Sequence, residues 1–594
     1  MKDQLQRIRR GGTATLMFGC IGLASAAGAG GAAMLLAAPY GDWVYPGFGQ
    51  HIGLVAVLAS IGALVGLAGG LLLWAGIRLL AARGDWSCSP SPQPLLVIAF
   101  AAALLLAVGL RLIDAAEPGA GAALSGAPPM VPVETADHAE IPWRSERSIN
   151  VVLISLDTLR ADHLGIYAHA HETSPNIDDF FASGAVFTNA YASSPWTLPS
   201  HASMMSGQHS STHGSRIHPL TTPRFYIDPI SEATVTLAEV FRAAGYRTAG
   251  FTGGGYVSQE FGFDQGFDVY ESTESTRMKE ALDRALPWLS ADRDEPFFLF
   301  LHAYDVHRYD PPELLGETPA REYDGPLKWL RERDALAIER GANQHDLGEL
   351  EEADLAYLRL LYDSEILNVD RQLSRLFSML EDSDLLDRTV VLLTSDHGEA
   401  FGEHAGAIGH AESFYEGVMR VPLLIRAPGQ PTAVRPRDLV QIVDIAPSLL
   451  ELAGIAIPGG MQGISLVPAL LGSELPKRPA ILEADDRDTQ AAVVVDGFKY
   501  IDPAVVSHDP LDPRFWKLAA RGLVWRSGRL PELYDLRSDP GEQRNLAKLE
   551  PDRARVYSEL LRSEVRRLRV ADPGGIREAP GELVDQLRAL GYVE

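Results

Sequence analysis

Two stretches far apart in the chain share one design. "INVVLISLD" runs from Val151 to Ile154 without a polar break and ends at Asp157; "TVVLLTSDH" runs from Val390 to Leu393 and ends at Asp396 and His397. A strand with one wet face alternates polar and apolar residues, so an unbroken apolar run reads as a strand buried on both faces. Such strands need helices on both sides, and the intervening sequence supplies them. "TLAEVFRAAGYRTAGFTGGG" reads as a helix stopped by Gly245 followed by a strand, and "PFFLFLHAYDVH" as another apolar strand ending in polar residues. From about Leu355 to Leu380, the residues Leu358, Tyr362, Ile366, Val369, Leu373, Leu376 and Leu380 recur at three- and four-residue spacing, which predicts a long helix. Together these predict an α/β fold with a mostly parallel central sheet. In such sheets ligands bind beyond the carboxyl ends of the strands, and Asp157, Asp396, His397 and His307 all fall there.

The flanks differ from this core. Three apolar stretches open the chain, Thr13 to Ala38, Gly53 to Leu80, and Pro94 to Val108 with an extension to Ile113. The first two exceed the roughly 20 residues a spanning helix needs and the third is near the lower limit. Lys2, Arg7, Arg9 and Arg10 precede the first, Arg78 at the end of the second and Arg83 just after it mark the side facing the third, and the Pro39–His51 loop has neither Lys nor Arg. By the positive-inside rule this predicts an inside start, three crossings and an extracytoplasmic remainder. The expected organisation is a transmembrane anchor over 1–113, an Ala/Gly/Pro-rich tether over 114–147, a core over 148–474, a C-terminal subdomain with an antiparallel sheet over 475–547, and a helical tail over 548–594. A formal net charge of -26 speaks against nucleic acid as a partner, because a phosphate backbone needs a basic footprint. Both cysteines, Cys20 and Cys88, lie in the N-terminal fifth, so the core has no disulfide, thiol nucleophile or thiolate ligand.

Carboxylates and an imidazole at paired strand ends suit a divalent ion: Zn²⁺ or Mn²⁺, or Mg²⁺ or Ca²⁺ where oxygen ligands dominate. Three protein ligands leave a position open for chemistry. "SPWTLPSHASMMSG" supplies a candidate to fill it, because Pro199 is tolerated in a first helical turn and so sets Thr197 at a helix N-terminus. Two roles stand side by side there. Thr197 can cap the helix, or its hydroxyl, next to a metal ion and the positive end of the dipole, can attack an anionic phosphorus or sulfur centre.

Seven ordered blocks bear on that choice: "INVVLISLDTLRADHLG", "SPWTLPSHASMMSG", "PFFLFLHAYDVHRYDPP", "LYDSEILNVDRQLSRLFSMLE", "LTSDHGEAFGEHAGAIGH", "VPLLIRAPG" and "ELYDLRSDPGEQRNLA". Over residues 148 to 547 the chain resembles the sulfatase family of the alkaline-phosphatase superfamily. The resemblance implies a hydrolase with an α/β core, a smaller C-terminal subdomain, a divalent metal held by Asp157, Asp396 and His397, and Thr197 at the nucleophile position. It implies active-site roles for His307 and for His410, which falls where the family often places a Lys, and contact of His201 with the anion in place of the motif arginine. His302, His404 and His213 read as structural.

The departures are chemical. Sulfatases that use formylglycine make it from Cys or Ser in Cys-x-Pro-x-Arg; this chain has Thr197-Leu198-Pro199-Ser200-His201, and Thr cannot be converted to that aldehyde hydrate. Asp157-Thr158 replaces the usual Asp-Asp pair, and Asp396-His397 the usual Asp-Asn. In these respects the chain resembles the Thr-dependent phosphodiesterases and the membrane-anchored phosphoethanolamine and phosphoglycerol transferases. No formylglycine is therefore expected, and phosphoester or phosphodiester substrates are favoured over sulfate esters. A Thr ester has no hemiacetal exit and must be attacked at phosphorus or sulfur. Membrane lipid or glycan head groups are compatible substrates or acceptors. Transfer to such an acceptor, true sulfuric ester hydrolysis, and a silent binding module are the alternatives; the intact Asp157, Thr197, Asp396 and His397 set argues against the last.

Overall fold

The apolar runs are adjacent strands of one sheet. In the computed structural model β1 (Asn150–Leu156), β2 (Ala185–Val186), β3 (Arg247–Thr252), β4 (Val269–Ser272), β5 (Phe297–Ala303), β6 (Thr389–Thr394) and β7 (Leu423–Arg426) form a seven-stranded sheet in the order β2-β7-β6-β1-β5-β3-β4. Pairing is parallel from β6 to β4, and β7 runs antiparallel to both β6 and β2. This is the mostly parallel α/β sheet that the sequence predicts. The structure describes residues 148–218, 226–273, 276–291, 295–308, 323–327, 350–404, 406–410, 413–430, 432–484, 490–503, 530–568, 577–578 and 583. The expected anchor and tether, 1–147, lie outside the described residues, as does most of the tail beyond 568. Among the described residues no helix is long and apolar enough to cross a membrane.

Alternation along the strands divides the interior into two cores. Val151, Leu153, Phe298, Phe300, Val390 and Leu392 face one side, and Val152, Ile154, Leu299, Leu301, Val391 and Leu393 the other. The helices are α1 (Pro175–Phe181), α2 (Thr197–Ser206), α3 (Leu237–Ala243), α4 (Met278–Ala291), α5 (Glu352–Asp382), α6 (Ile445–Ala453) and α7 (Pro551–Arg567). Apolar residues of α2, α3 and α6 belong to the first core, and those of α1, α4 and α5 to the second. The α5 stripe predicted from spacing is buried along its length, from Leu358 to Leu380.

Register positions the site. Ser155 of β1 pairs with His302 of β5 and with Thr394 of β6, so Asp157 and Asp396 emerge at one level on the carboxyl edge and His302 lies two residues below it.

Four further strands, β8 (Ala480–Glu483), β9 (Ala491–Val495), β10 (Phe498–Asp502) and β11 (Glu532–Asp535), form an antiparallel sheet in that order. Leu482, Ala492, Val494 and Tyr534 join the first core, while Ile481, Val493, Tyr500 and Leu533 pack with Leu561 and Val565 of α7. A fully buried cation ties the two parts together. Lys499 Nζ on β10 forms ion pairs with Glu416 at 2.7 Å and Glu542 at 2.9 Å, and donates to the Phe414 carbonyl at 3.0 Å. Removing one partner of a buried ion pair leaves the others desolvated without compensation. We expect Lys499→Met to cost about 3–5 kcal/mol in a denaturant titration; a change below about 1 kcal/mol, the size of a surface pair, would rule that reading out.

Candidate active site

The turn after β1 is built to aim Asp157. Thr158 lies in the left-handed region at φ 60°, which costs a β-branched residue about 1–3 kcal/mol. Surrounding bonds hold it there. Its N–H donates to Asp396 Oδ1 at 3.3 Å, its hydroxyl donates to the Asp157 carbonyl at 2.7 Å, and its own carbonyl accepts from the Tyr362 hydroxyl at 2.7 Å. Ser395 links the two strand ends: its hydroxyl donates to the Leu156 carbonyl at 2.6 Å and accepts from the Leu159 N–H at 2.9 Å. Arg160 crosses from the first loop to the second, donating to the Glu399 carbonyl at 2.9 Å and to Glu403 Oε1 at 2.6 Å.

Helix α2 brings in Thr197. Trp196 occupies the cap position and Thr197 is the first helical residue, so the capping role open to Thr197 in the sequence is not the one it takes. Its Oγ1 lies 3.5 Å from His397 Nε2. His397 Nδ1 is 3.0 Å from the Gly398 carbonyl, which assigns the ring hydrogen to Nδ1 and leaves the Nε2 lone pair facing Thr197 Oγ1 and Asp396 Oδ2, the latter at 3.3 Å. Ser200, one turn along, donates to the Asp396 carbonyl at 2.6 Å. All ten residues of α2 are buried. His213 holds the helix from outside: Nδ1 accepts from the Ser215 N–H at 3.1 Å, which requires a neutral ring, and Nε2 is 3.0 Å from Ser203 Oγ.

Burial pushes the His213 pKa from 6.5 down to about 3. Below pH 6.5 the unfolded chain takes up a proton that the folded chain refuses, so this histidine's contribution is present above 6.5 and is lost as pH falls toward 3. We expect His213→Asn to reduce the slope of stability against pH in that window by up to about 1.4 kcal/mol per pH unit; an unchanged slope in urea titrations would show that His213 is charged in the fold.

The four residues assigned to a metal from sequence converge. Asp157, Thr197, Asp396 and His397 are fully buried. Asp157, Asp396 and His397 present ligand atoms within 4.8 Å of one another, and Asp157, His201 and His302 form a second such group. His302 is the residue sequence reasoning missed. Its Nε2 lies 3.6 Å from Asp157 Oδ2, and neither of its ring nitrogens has a hydrogen-bond partner. Both Asp157 carboxylate oxygens and Asp396 Oδ2 are likewise buried without a hydrogen-bond partner. Orphaned buried carboxylate oxygens are costly unless a cation joins them. The titration behaviour agrees: burial and the charge of Asp396 push Asp157 up to about 6, whereas burial at Asp396 is outweighed by His397, His201 and His302, which bring it to about 2. A cation beside the two carboxylates would favour the ionised form of both. The residues present fit a divalent ion.

His201, which the resemblance places in contact with the anion, lies beside Thr197 and Asp396. It is fully buried; Nδ1 is 2.9 Å from the Thr197 carbonyl and 3.4 Å from Asp396 Oδ2, and Nε2 is 2.9 Å from Ser155 Oγ. Its visible work is to tie α2 to β1. His307 and His410 lie together on the more open side, their rings 5.3 Å apart and each about one-twentieth exposed. The His410 ring stacks on His397 at 4.3 Å, meets Trp196 edge-on at 6.1 Å, and sets Nδ1 3.3 Å from Glu399 Oε2. Glu399 is a second residue not assigned from sequence, although the Asp-His-Gly-Glu run contains it. Burial raises its pKa, but His410, followed by His307 and His397, outweighs that and holds it below the ordinary value.

The sulfatase family model matches residues 149–455, just over half of the chain. The chain belongs to the sulfatase family. It is therefore an ester-hydrolysing enzyme, and a second family model, "N-sulphoglucosamine sulphohydrolase, C-terminal", matches residues 411–571 of this sulfatase. Arylsulfatase K of Danio rerio is 27% identical over 473 residues, covering 71% of this chain and 85% of the relative; arylsulfatase K of Homo sapiens is 26% identical over 454 residues, covering 69% and 81%. Among solved structures, a protein in complex with its substrate D-glucosamine-2-N,6-O-disulfate superposes with a TM-score of 0.55 at 20% identity, over 72% of this sulfatase and 99% of that chain. The phosphonate monoester hydrolase of Agrobacterium radiobacter gives 0.53 at 22% identity, over 70% and 95%. At these identities the structural likeness shows the fold.

Proposed function

We propose that this chain hydrolyses phosphoesters or phosphodiesters through Thr197 itself as the attacking group, without formylglycine. The observation that carries the reading is the placement of Thr197 Oγ1 at the N-terminus of a buried helix, 3.5 Å from His397 Nε2 and beside carboxylates that lack hydrogen-bond partners. Asp157, Asp396, His397 and His302 would hold the divalent ion, which when bound acidifies a neighbouring hydroxyl and neutralises an anionic ester. Thr197 gives up its hydroxyl proton to water as its Oγ forms a bond to phosphorus and the bond to the leaving oxygen breaks, and the α2 N-terminus stabilises the added negative charge. Water then attacks phosphorus and releases Thr197. His410, oriented by Glu399 and flanked by His307, stands where a leaving oxygen would take up its proton. Names of the related proteins support an ester of a strong oxyacid: sulfate in arylsulfatase K, phosphonate monoester in the Agrobacterium enzyme. Following three apolar stretches, the catalytic unit belongs by this reading on the outer face of a membrane, near lipid or glycan head groups.

A comparison of aryl sulfate, aryl phosphate and phosphodiester substrates across Zn²⁺, Mn²⁺, Mg²⁺ and Ca²⁺ tests the substrate class. A phosphate monoester or diester is expected to turn over faster than aryl sulfate; aryl sulfate leading by a wide margin would overturn the phosphoester assignment. Supplying an acceptor alcohol and analysing products separates hydrolysis from transfer. His410 has its own test. His410→Ala should slow alkyl esters by about 10²–10⁴-fold, because an alkoxide leaves poorly without a proton, and should slow a nitrophenyl ester far less. Equal losses on both would show that His410 is not the leaving-group acid.

A further inference from the structure

Behind the Asp157 turn, three imidazoles point at one carboxylate. His163 Nδ1 lies 2.6 Å from Asp363 Oδ1, His171 Nδ1 lies 2.8 Å from Asp363 Oδ2, and His169 Nε2 lies 3.2 Å from the same oxygen. The donor atoms of His163, His169 and Asp363 lie within 4.8 Å of one another. None of these residues belongs to the site described above. We propose that His163, His169, His171 and Asp363 form a second divalent metal site, suited to Zn²⁺, that clamps the loop after β1 to α5.

Donor chemistry selects the ion. Three neutral imidazole nitrogens and one carboxylate oxygen are a zinc set, with bonds of about 2.0–2.2 Å in a tetrahedral arrangement. Mg²⁺ and Ca²⁺ prefer oxygen cages. Each imidazole nitrogen already stands 2.6–3.2 Å from an Asp363 oxygen, so the carboxylate is the point around which a shell would close. A hydrogen-bonded cluster alone would need all three rings to aim an N–H at one carboxylate, with the His163 and His169 rings stacked 4.8 Å apart. One cation satisfies every donor through lone pairs.

The surroundings are those of a structural site. Asp363 and His163 side chains are 8% and 7% exposed, and His169 is 15% exposed. The His163 ring lies against Tyr362 at 4.9 Å and Phe401 at 5.8 Å, an apolar wall on the inner side. His171, 68% exposed, closes the outer side. Ala168, at φ 71°, turns the chain just before the His169-Ala170-His171 segment. The consequence for the enzyme runs through Tyr362. This neighbour of Asp363 donates to the Thr158 carbonyl, so fixing α5 to the His163 loop also fixes the turn that aims Asp157.

The test uses the full chain in detergent, freed of any affinity tag, stripped with a chelator and then supplied with ZnCl₂. Zinc per chain by plasma mass spectrometry and the thermal midpoint are read for wild type, His169→Ala/His171→Ala and Asp396→Asn. The double variant is expected to hold one zinc fewer than wild type and to show a smaller zinc-dependent rise in midpoint than wild type, while Asp396→Asn keeps the part of the rise that the double variant loses. Should the double variant fail to fold, His171→Ala, at a mostly exposed position, is expected to shift the rise to higher zinc concentration. Zinc content and midpoint equal to wild type in the double variant, or in His171→Ala an unshifted zinc response, would overturn the proposal and leave a hydrogen-bonded cluster.

Discussion

Thr197→Ala is expected to abolish turnover of every ester substrate, with a loss of about 10³–10⁶-fold, the range seen when an attacking side chain is removed and only binding and charge stabilisation are left. The size follows from position. Thr197 is the first residue of a fully buried helix, its hydroxyl faces the His397 lone pair, and no cysteine lies near enough in sequence to stand in for it. Thr197→Ser is the informative companion. It keeps the hydroxyl and removes a methyl, so a fraction of activity should survive where Ala leaves none. A Thr197→Ala enzyme with wild-type turnover would remove Thr197 from the chemistry.

Asp396→Asn is expected to lower turnover by at least the roughly 10²–10³-fold that follows loss of one charge-stabilising group, with loss of one bound divalent ion. Asp396 Oδ2 and both Asp157 oxygens are buried without hydrogen-bond partners, and the amide that replaces the carboxylate has one oxygen and no charge. Chelation of wild type should produce a loss of the same order, reversed by added metal. The variant should not recover. Full activity of chelated wild type, checked by metal analysis of the same sample, would show that the carboxylates serve the fold alone.

Much of this was legible in the sequence because the signals are local. Unbroken apolar runs ending in Asp157 and in Asp396-His397 announce strands buried on both faces, and Pro199 near Thr197 announces a helix start. What was missed depends on register. His302 is one polar residue in the strand "FFLFLHA" and looks like any core histidine; pairing with Ser155, two residues before Asp157, puts it beside that carboxylate. Tyr362 fits the apolar stripe of α5, and only the tertiary structure shows its hydroxyl holding the strained Thr158. His163, His169 and His171 converge on Asp363 across about 200 residues of chain, a distance no motif spans. His201 stands where the family motif has an arginine, and only the tertiary structure shows its Nε2 beside Ser155 Oγ of β1. The expected membrane anchor lies in residues outside the description, so its test is biochemical: detergent dependence of extraction for the full chain.

The central claim is that an unmodified threonine forms the covalent intermediate. Rapid acid quenching during turnover of an aryl phosphate or phosphodiester, followed by peptide mass spectrometry over Ser194–Gly207, measures this directly. The account predicts that Thr197 carries the mass of one phosphoryl group, or of the alkyl phosphoryl group for a diester, and that the same peptide from resting enzyme has an intact threonine. A peptide with unmodified Thr197 at full turnover, or an adduct on another residue, would contradict it.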